Sequence, residues 1–242
     1  MFRNLFAAAV LAALCAGLVT ATLQHFRVMP LILHAETFEG EGGHSHAFDT
    51  PAHTHDAAAS PIGEWAPANG FERTAYTALA TILAAAGFAL LMGAVSMFAN
   101  IPITFANSML WAIGGFATFS LAPAYGLAPE LPGMPAADLV ARQLWWIGTA
   151  FATGAAFTLL AKTRASWAIA IALALVVTPH LVGAPAAPDE PSAVPAHLAT
   201  EFAAVTLGTS AVFWLVLGAV FGRLSDHFAR SPAAAAPAGA HA

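Results

Sequence analysis

The residues best suited to chemistry lie in one short stretch, residues 34–56, HAETFEGEGGHSHAFDTPAHTHD. It holds five histidines, His34, His44, His46, His53 and His55, with five acids, Glu36, Glu39, Glu41, Asp49 and Asp56, and no Lys or Arg. Imidazole and carboxylate are ligands that borderline divalent ions such as Co²⁺, Ni²⁺, Cu²⁺ and Zn²⁺ accept. In each His-x-His pair, 44/46 and 53/55, an extended backbone puts both rings on one side, because side chains alternate with period two. Glycines at 40, 42 and 43 let the chain fold round an ion. Nothing in the stretch fixes four ligands rigidly, so the chemistry expected is loose capture, unlike a closed structural zinc site.

Two further places carry ligand-type side chains. One is Pro179-His180, at the end of an apolar run. The other is His197-x-x-x-Glu201, whose i,i+4 spacing puts both side chains on one helix face. If the two apolar runs that bear them are antiparallel neighbours, His180, His197 and Glu201 converge on a mouth. No Asp, Glu, Lys, Arg or His falls at the centre of any apolar run, where ion-coupled pumps usually keep one. A central path is then left with hydroxyls, amides, backbone carbonyls and thioethers. No phosphate-binding glycine loop or catalytic triad signature occurs, so the chain reads as a non-enzyme with no tightly bound cofactor.

These residues must be positioned by membrane helices. Of 242 residues 59% are hydrophobic and 9% charged, against about 25% charged in a soluble domain. Apolar runs near residues 5–23, 74–99, 103–121, 143–161, 165–182 and 198–221 predict an all-α, polytopic bundle of about six transmembrane helices. The polar stretch 24–73 reads as a long His- and acid-rich external loop, mostly without structure, with short helical pieces near residues 26–38. Prolines 123, 129, 132 and 135 are expected to break any helix. Gly87, Gly114 and Gly115 are small positions where helices can approach closely. Residues 1–230 read as one membrane domain and 231–242 as a disordered tail. The charged start and apolar core of residues 1–23 fit a first span or a secretory leader ending near Val19-Thr20-Ala21. Either places residues 24–73 on the far side of the membrane.

With the N-terminus in the cytoplasm and six crossings, Arg3, Lys162, Arg164, Arg223 and Arg230 fall inside, and Arg27, Arg73 and Arg142 outside. This agrees with the positive-inside rule. Twelve of the thirteen acids fall outside, all but Asp226. Acids do not set topology, so the split reads as a functional cue: an acidic outer face concentrates cations. The net charge of −5 argues against nucleic acid as a partner. The single cysteine, Cys15, excludes an internal disulfide.

Three stretches carry a resemblance: the opening MFRNLF with GLVTATLQHFRVMPLILHAETFE, the central APAYGLAPELPGMPAADLVARQLWW, and the late PHLVGAP and PAHLATEFAAVTL. Together they resemble the CbtA family of predicted cobalt transporter subunits, over nearly the whole chain. The resemblance implies a bacterial cytoplasmic membrane, Co²⁺ as the transported ion for cobalamin synthesis, and CbtB, a small single-span protein with a histidine-rich end, as partner. It implies about five spans, where the hydropathy pattern reads six. Positions matching its motifs are Glu36 and Glu39 early, and His180, His197 and Glu201 late. The residues alone leave open a nickel, copper or zinc transporter, and a non-conducting metal sensor or scaffold for a partner. Raw affinity follows the Irving–Williams order, so loop binding by itself favours copper and does not identify the cargo.

Overall fold

The computed structural model describes residues 2–41, 67–68 and 70–230. Among them there is no strand. The chain runs as α1 (Phe2–Leu23), a π turn (Gln24–Val28), α2 (Met29–Glu41), α3 (Phe71–Ala99), a 3-10 turn (Phe105–Asn107), α4 (Ser108–Phe116), a second π turn (Ala117–Leu121), α5 (Ala122–Gly126), α6 (Leu139–Lys162), α7 (Ser166–Val182) and α8 (Ala196–Arg230). Five stretches are long and apolar enough to cross a membrane: Arg3–Phe38, Phe71–Ala99, Phe105–Gly126, Leu139–Lys162 and Ala196–Arg230. Of the six spans expected, the fifth, α7, has 17 residues. At 1.5 Å per residue it rises about 26 Å, short of the roughly 30 Å of hydrocarbon.

Residues 24–41, expected as mostly loop with short helical pieces near residues 26–38, form helix throughout and continue α1. Val28, Leu31, Ile32 and Ala35 recur at helical spacing and pack with Leu131, Val194, Leu198 and Phe202, so a polar-looking sequence still has an apolar face to bury. Pro30 does not stop this helix, and Pro123, expected as a breaker, lies inside α5. Both prolines sit two residues beyond a π turn. A helical proline ring clashes with the carbonyl four residues back. Those carbonyls belong to Phe26 and Phe119, within the two widened turns. The other segment bounds shift for local reasons. The Asp138 carboxylate caps α6 by accepting from the Ala141 N–H at 2.9 Å, which starts that helix before residue 143.

The core is built on small residues. Ala8, Ala9, Ala12, Ala13 and Ala16 of α1 are buried with Ala85, Ala89 and Met92 of α3 and Phe213, Trp214, Leu217 and Phe221 of α8. In lipid, helices associate by close packing rather than by escape from water. Gly218 and Gly222 of α8 form a Gly-x-x-x-Gly pair against α4 and its 3-10 turn. A Cβ at these positions would stand 2.7 Å from the Ser108 carbonyl oxygen and 2.6 Å from that of Thr104. Gly115 admits the Trp214 ring, whereas Gly87 and Gly114 face open space; of the three small positions read from the sequence, only Gly115 makes a close approach. Large apolar side chains such as Leu83, Phe98, Leu110, Phe151 and Ile169 are exposed, as lipid-facing surfaces are.

The bundle has two chemically different ends. At one, the Asn4 side chain donates to the Phe228 carbonyl at 3.3 Å, and Asp226 accepts from the Phe105 N–H at 3.1 Å. The start of α1 and the end of α8 therefore share a side. At the other, the end of α2 packs with residues 131, 134, 194 and 198. This second end carries Glu36, Glu72, Glu130, Asp138, Asp189, Glu190 and Glu201; among described residues the first end has Asp226 as its acid.

Candidate metal-binding mouth

The ligand-type residues of the sequence are spread over several helices. His34 is exposed on α2, its ring 5.4 Å from that of Phe38. Glu36, one turn from the end of α2, is bound by both terminal nitrogens of Arg73 on α3, one contact measuring 3.3 Å. Glu39 lies in the last turns of α2. His44, His46, His53 and His55 fall outside the described residues.

His180 stands near the end of α7, edge-on to Tyr125 of α5 (5.2 Å between centroids) and Trp145 of α6 (5.8 Å). Its Nδ1 is buried without a hydrogen-bond partner among described residues. Trp145 Nε1–H donates to the Pro179 carbonyl at 3.1 Å. Gly126 admits the edge of the Trp145 ring, because any Cβ there would fall 2.4 Å from it. His180 thus belongs to an aromatic joint that ties the tips of α5, α6 and α7. His197 and Glu201 are both exposed on the first turns of α8.

The expected convergence of His180, His197 and Glu201 is not found. Among described residues, no three His, Cys, Asp or Glu side chains gather closely enough to hold an ion. The reason is topological. α7 packs along α6, whereas α8 packs against α1 and α4. Residues 183–195 carry four prolines and join the two without pairing them. On α8, Leu198 and Phe202 are buried toward α2, which leaves His197 and Glu201 on a different face.

The structure does assemble another set of polar groups. At the acidic end, a cleft of about 650 Å³ opens between the α5 region, α6 and α8. Glu130 and Arg142 line it and approach within 2.7 Å of one another. Gln143, Ser120, Thr206 and Ser210 also line it. The Ser120 and Ser210 hydroxyls are hydrogen-bonded at 2.6 Å, and Thr206 Oγ1 is buried without a partner among described residues. The second π turn carries Phe119 and Ser120 to this cleft, with Phe119 stacked on Trp214 at 5.7 Å. The sequence alone does not single out these residues, because Ser120, Thr206 and Ser210 are scattered in apolar runs. The one signal within its reach is an opposite-charge pair, Glu130 and Arg142, flanking a proline-rich connection.

The family comparison decides between a generic membrane bundle and a transporter component. A model of the CbtA family, described as probable cobalt transporter subunit, matches residues 2–226. The chain belongs to the CbtA family. Neither a curated protein nor a solved structure matches it. The CbtA match spans both bundle ends, the acidic cleft and the aromatic joint at His180. A CbtA chain is a subunit, so its multi-pass bundle works with a partner.

Proposed function

We propose that this CbtA chain is the membrane subunit that collects Co²⁺ outside the cytoplasmic membrane and passes it inward. The observation that carries this reading is the family match over residues 2–226. Its description names the cargo, and the acid-bearing end of the bundle suits a dication. In this reading both described chain ends lie in the cytoplasm, α7 completes a sixth crossing, and a CbtB-like small single-span protein with a histidine-rich end is the partner. The histidines and acids of residues 34–56 gather ions from dilute solution. His180, His197 and Glu201 act at separate points of the outer face rather than as one ligand set. An inside-negative potential drives a cation inward by about 2.3 kcal/mol per charge per 100 mV, so uptake requires no ATP.

The test is reconstitution in lipid vesicles, with and without the small partner, under an imposed potential. Entrance of ⁵⁷Co that grows with inside-negative potential is the expected result. Its absence in both preparations overturns the proposal. Competition during transport, rather than binding to the loop, separates Co²⁺ from Ni²⁺, Cu²⁺ and Zn²⁺, because loop affinity follows the Irving–Williams order whatever the cargo.

A further inference from the structure

The cleft between α6 and α8 offers a set of oxygen donors at the end of the bundle that carries most of the acids. We propose that it is the vestibule where a hydrated divalent cation enters the bundle, with Glu130 its first carboxylate ligand and Arg142 the competitor that releases it. This rests on the transport reading above and names the site where transport begins.

Size is the first argument. An ion with six waters, at about 30 Å³ each, occupies roughly 180 Å³, well within a cleft of about 650 Å³. The cation need not shed its shell to arrive. Donor chemistry is the second. The polar lining is carboxylate, amide and hydroxyl, from Glu130, Gln143, Ser120, Thr206 and Ser210, with no His, Cys or Met among the lining residues. Hydroxyls both donate and accept, so the Ser120–Ser210 pair can receive the ion's waters. Oxygen donors of this kind bind a transition-metal ion more weakly than clustered imidazole or thiolate. Conduction needs that weakness, since an ion must leave as readily as it enters.

Charge is the third argument. Glu130 and Arg142 approach at 2.7 Å with side chains 24% and 29% exposed. Paired, they present no net charge to the cleft. A dication approaching Glu130 meets the repulsion of Arg142, so coordination requires the guanidinium to move aside. When the ion moves on, Arg142 recovers the carboxylate. Glu36 is also paired with an arginine, but it does not line this cleft.

The experiment titrates purified full-length protein with CoCl₂ in a background where His44, His46, His53 and His55 are alanine, and measures ⁵⁷Co uptake by the same proteins in vesicles. Glu130→Gln is expected to weaken cobalt binding at least about tenfold and to raise the half-saturating concentration for uptake. Glu130→Asp, which keeps the carboxylate, retains most of the binding and controls for folding. Arg142→Gln is expected to bind cobalt several-fold more tightly while its maximal uptake rate falls. Unchanged binding in both Glu130→Gln and Arg142→Gln overturns the vestibule. If the parent protein transports cobalt and Glu130→Gln transports it equally well, the vestibule fails and the transport reading stands. If no protein transports, the transport reading fails and the binding result alone decides the site.

Discussion

Arg73 reaches from the first turn of α3 and holds both carboxylate oxygens of Glu36 near the end of α2. The His- and acid-rich stretch begins on α2 and precedes α3 in the chain, and this ion pair joins the base of the two helices. Within the same base, the Ala68 N–H donates to Glu72 at 3.2 Å.

The Arg73–Glu36 clamp predicts that Arg73→Gln and Glu36→Gln both act through one shared contact. Each should cost roughly 1–2 kcal/mol of stability in detergent, as a partly exposed charge-assisted pair does. The double variant should cost less than the sum of the two single ones. Thermal unfolding of the three proteins checks this. A fall in cobalt affinity in Glu36→Gln alone would instead make Glu36 a ligand.

The Gly218 and Gly222 contacts predict a sharp positional contrast. Gly222→Ala drives a methyl group into the Thr104 carbonyl oxygen, 2.6 Å away, and should cost about 1–3 kcal/mol as overpacking does. Gly87→Ala and Gly114→Ala meet nothing within 4 Å and should change stability by less than about 1 kcal/mol. Thermal unfolding in one detergent ranks the four proteins.

The two π turns show why the fold is only partly legible in the sequence. Hydropathy alone locates the apolar helices, because lipid demands long uncharged runs. It stops the first helix near Leu23 because His25, Arg27 and Pro30 look like loop, and the π turn that absorbs Pro30 leaves no mark in composition. The site is less legible still. His180, His197 and Glu201 stand out for their ligand chemistry, yet which helices pair depends on close contacts such as Gly126 with Trp145, which spacing does not reveal. Glu130 and Arg142 are separated by a proline-rich connection, and their meeting is a tertiary fact.

The widened turn before Pro123 predicts a measurable geometry. The hydroxyls of Ser120 and Ser210 lie 2.6 Å apart, so Ser120→Cys with Ser210→Cys should cross-link readily under mild oxidation. Adding Pro123→Ala removes the steric reason for the π turn. Cross-linking should then slow, because a tightened turn rotates Ser120 away from α8. Equal rates with and without Pro123 would show that the proline does not set this turn.

The aromatic joint at His180 predicts coupling with Trp145. A double-mutant cycle of His180→Ala and Trp145→Phe, followed by thermal unfolding, should return roughly 0.5–1.5 kcal/mol of interaction. No coupling should appear between His180 and His197, which sit on helices that do not pack together.

The most direct measurement is the initial rate of ⁵⁷Co accumulation in proteoliposomes carrying this chain and its small partner, as a potassium diffusion potential is stepped from zero to inside-negative. The rate should climb with each step and fall when Glu130 becomes glutamine. A rate equal to that of protein-free vesicles at every potential would contradict inward cobalt transport by this bundle.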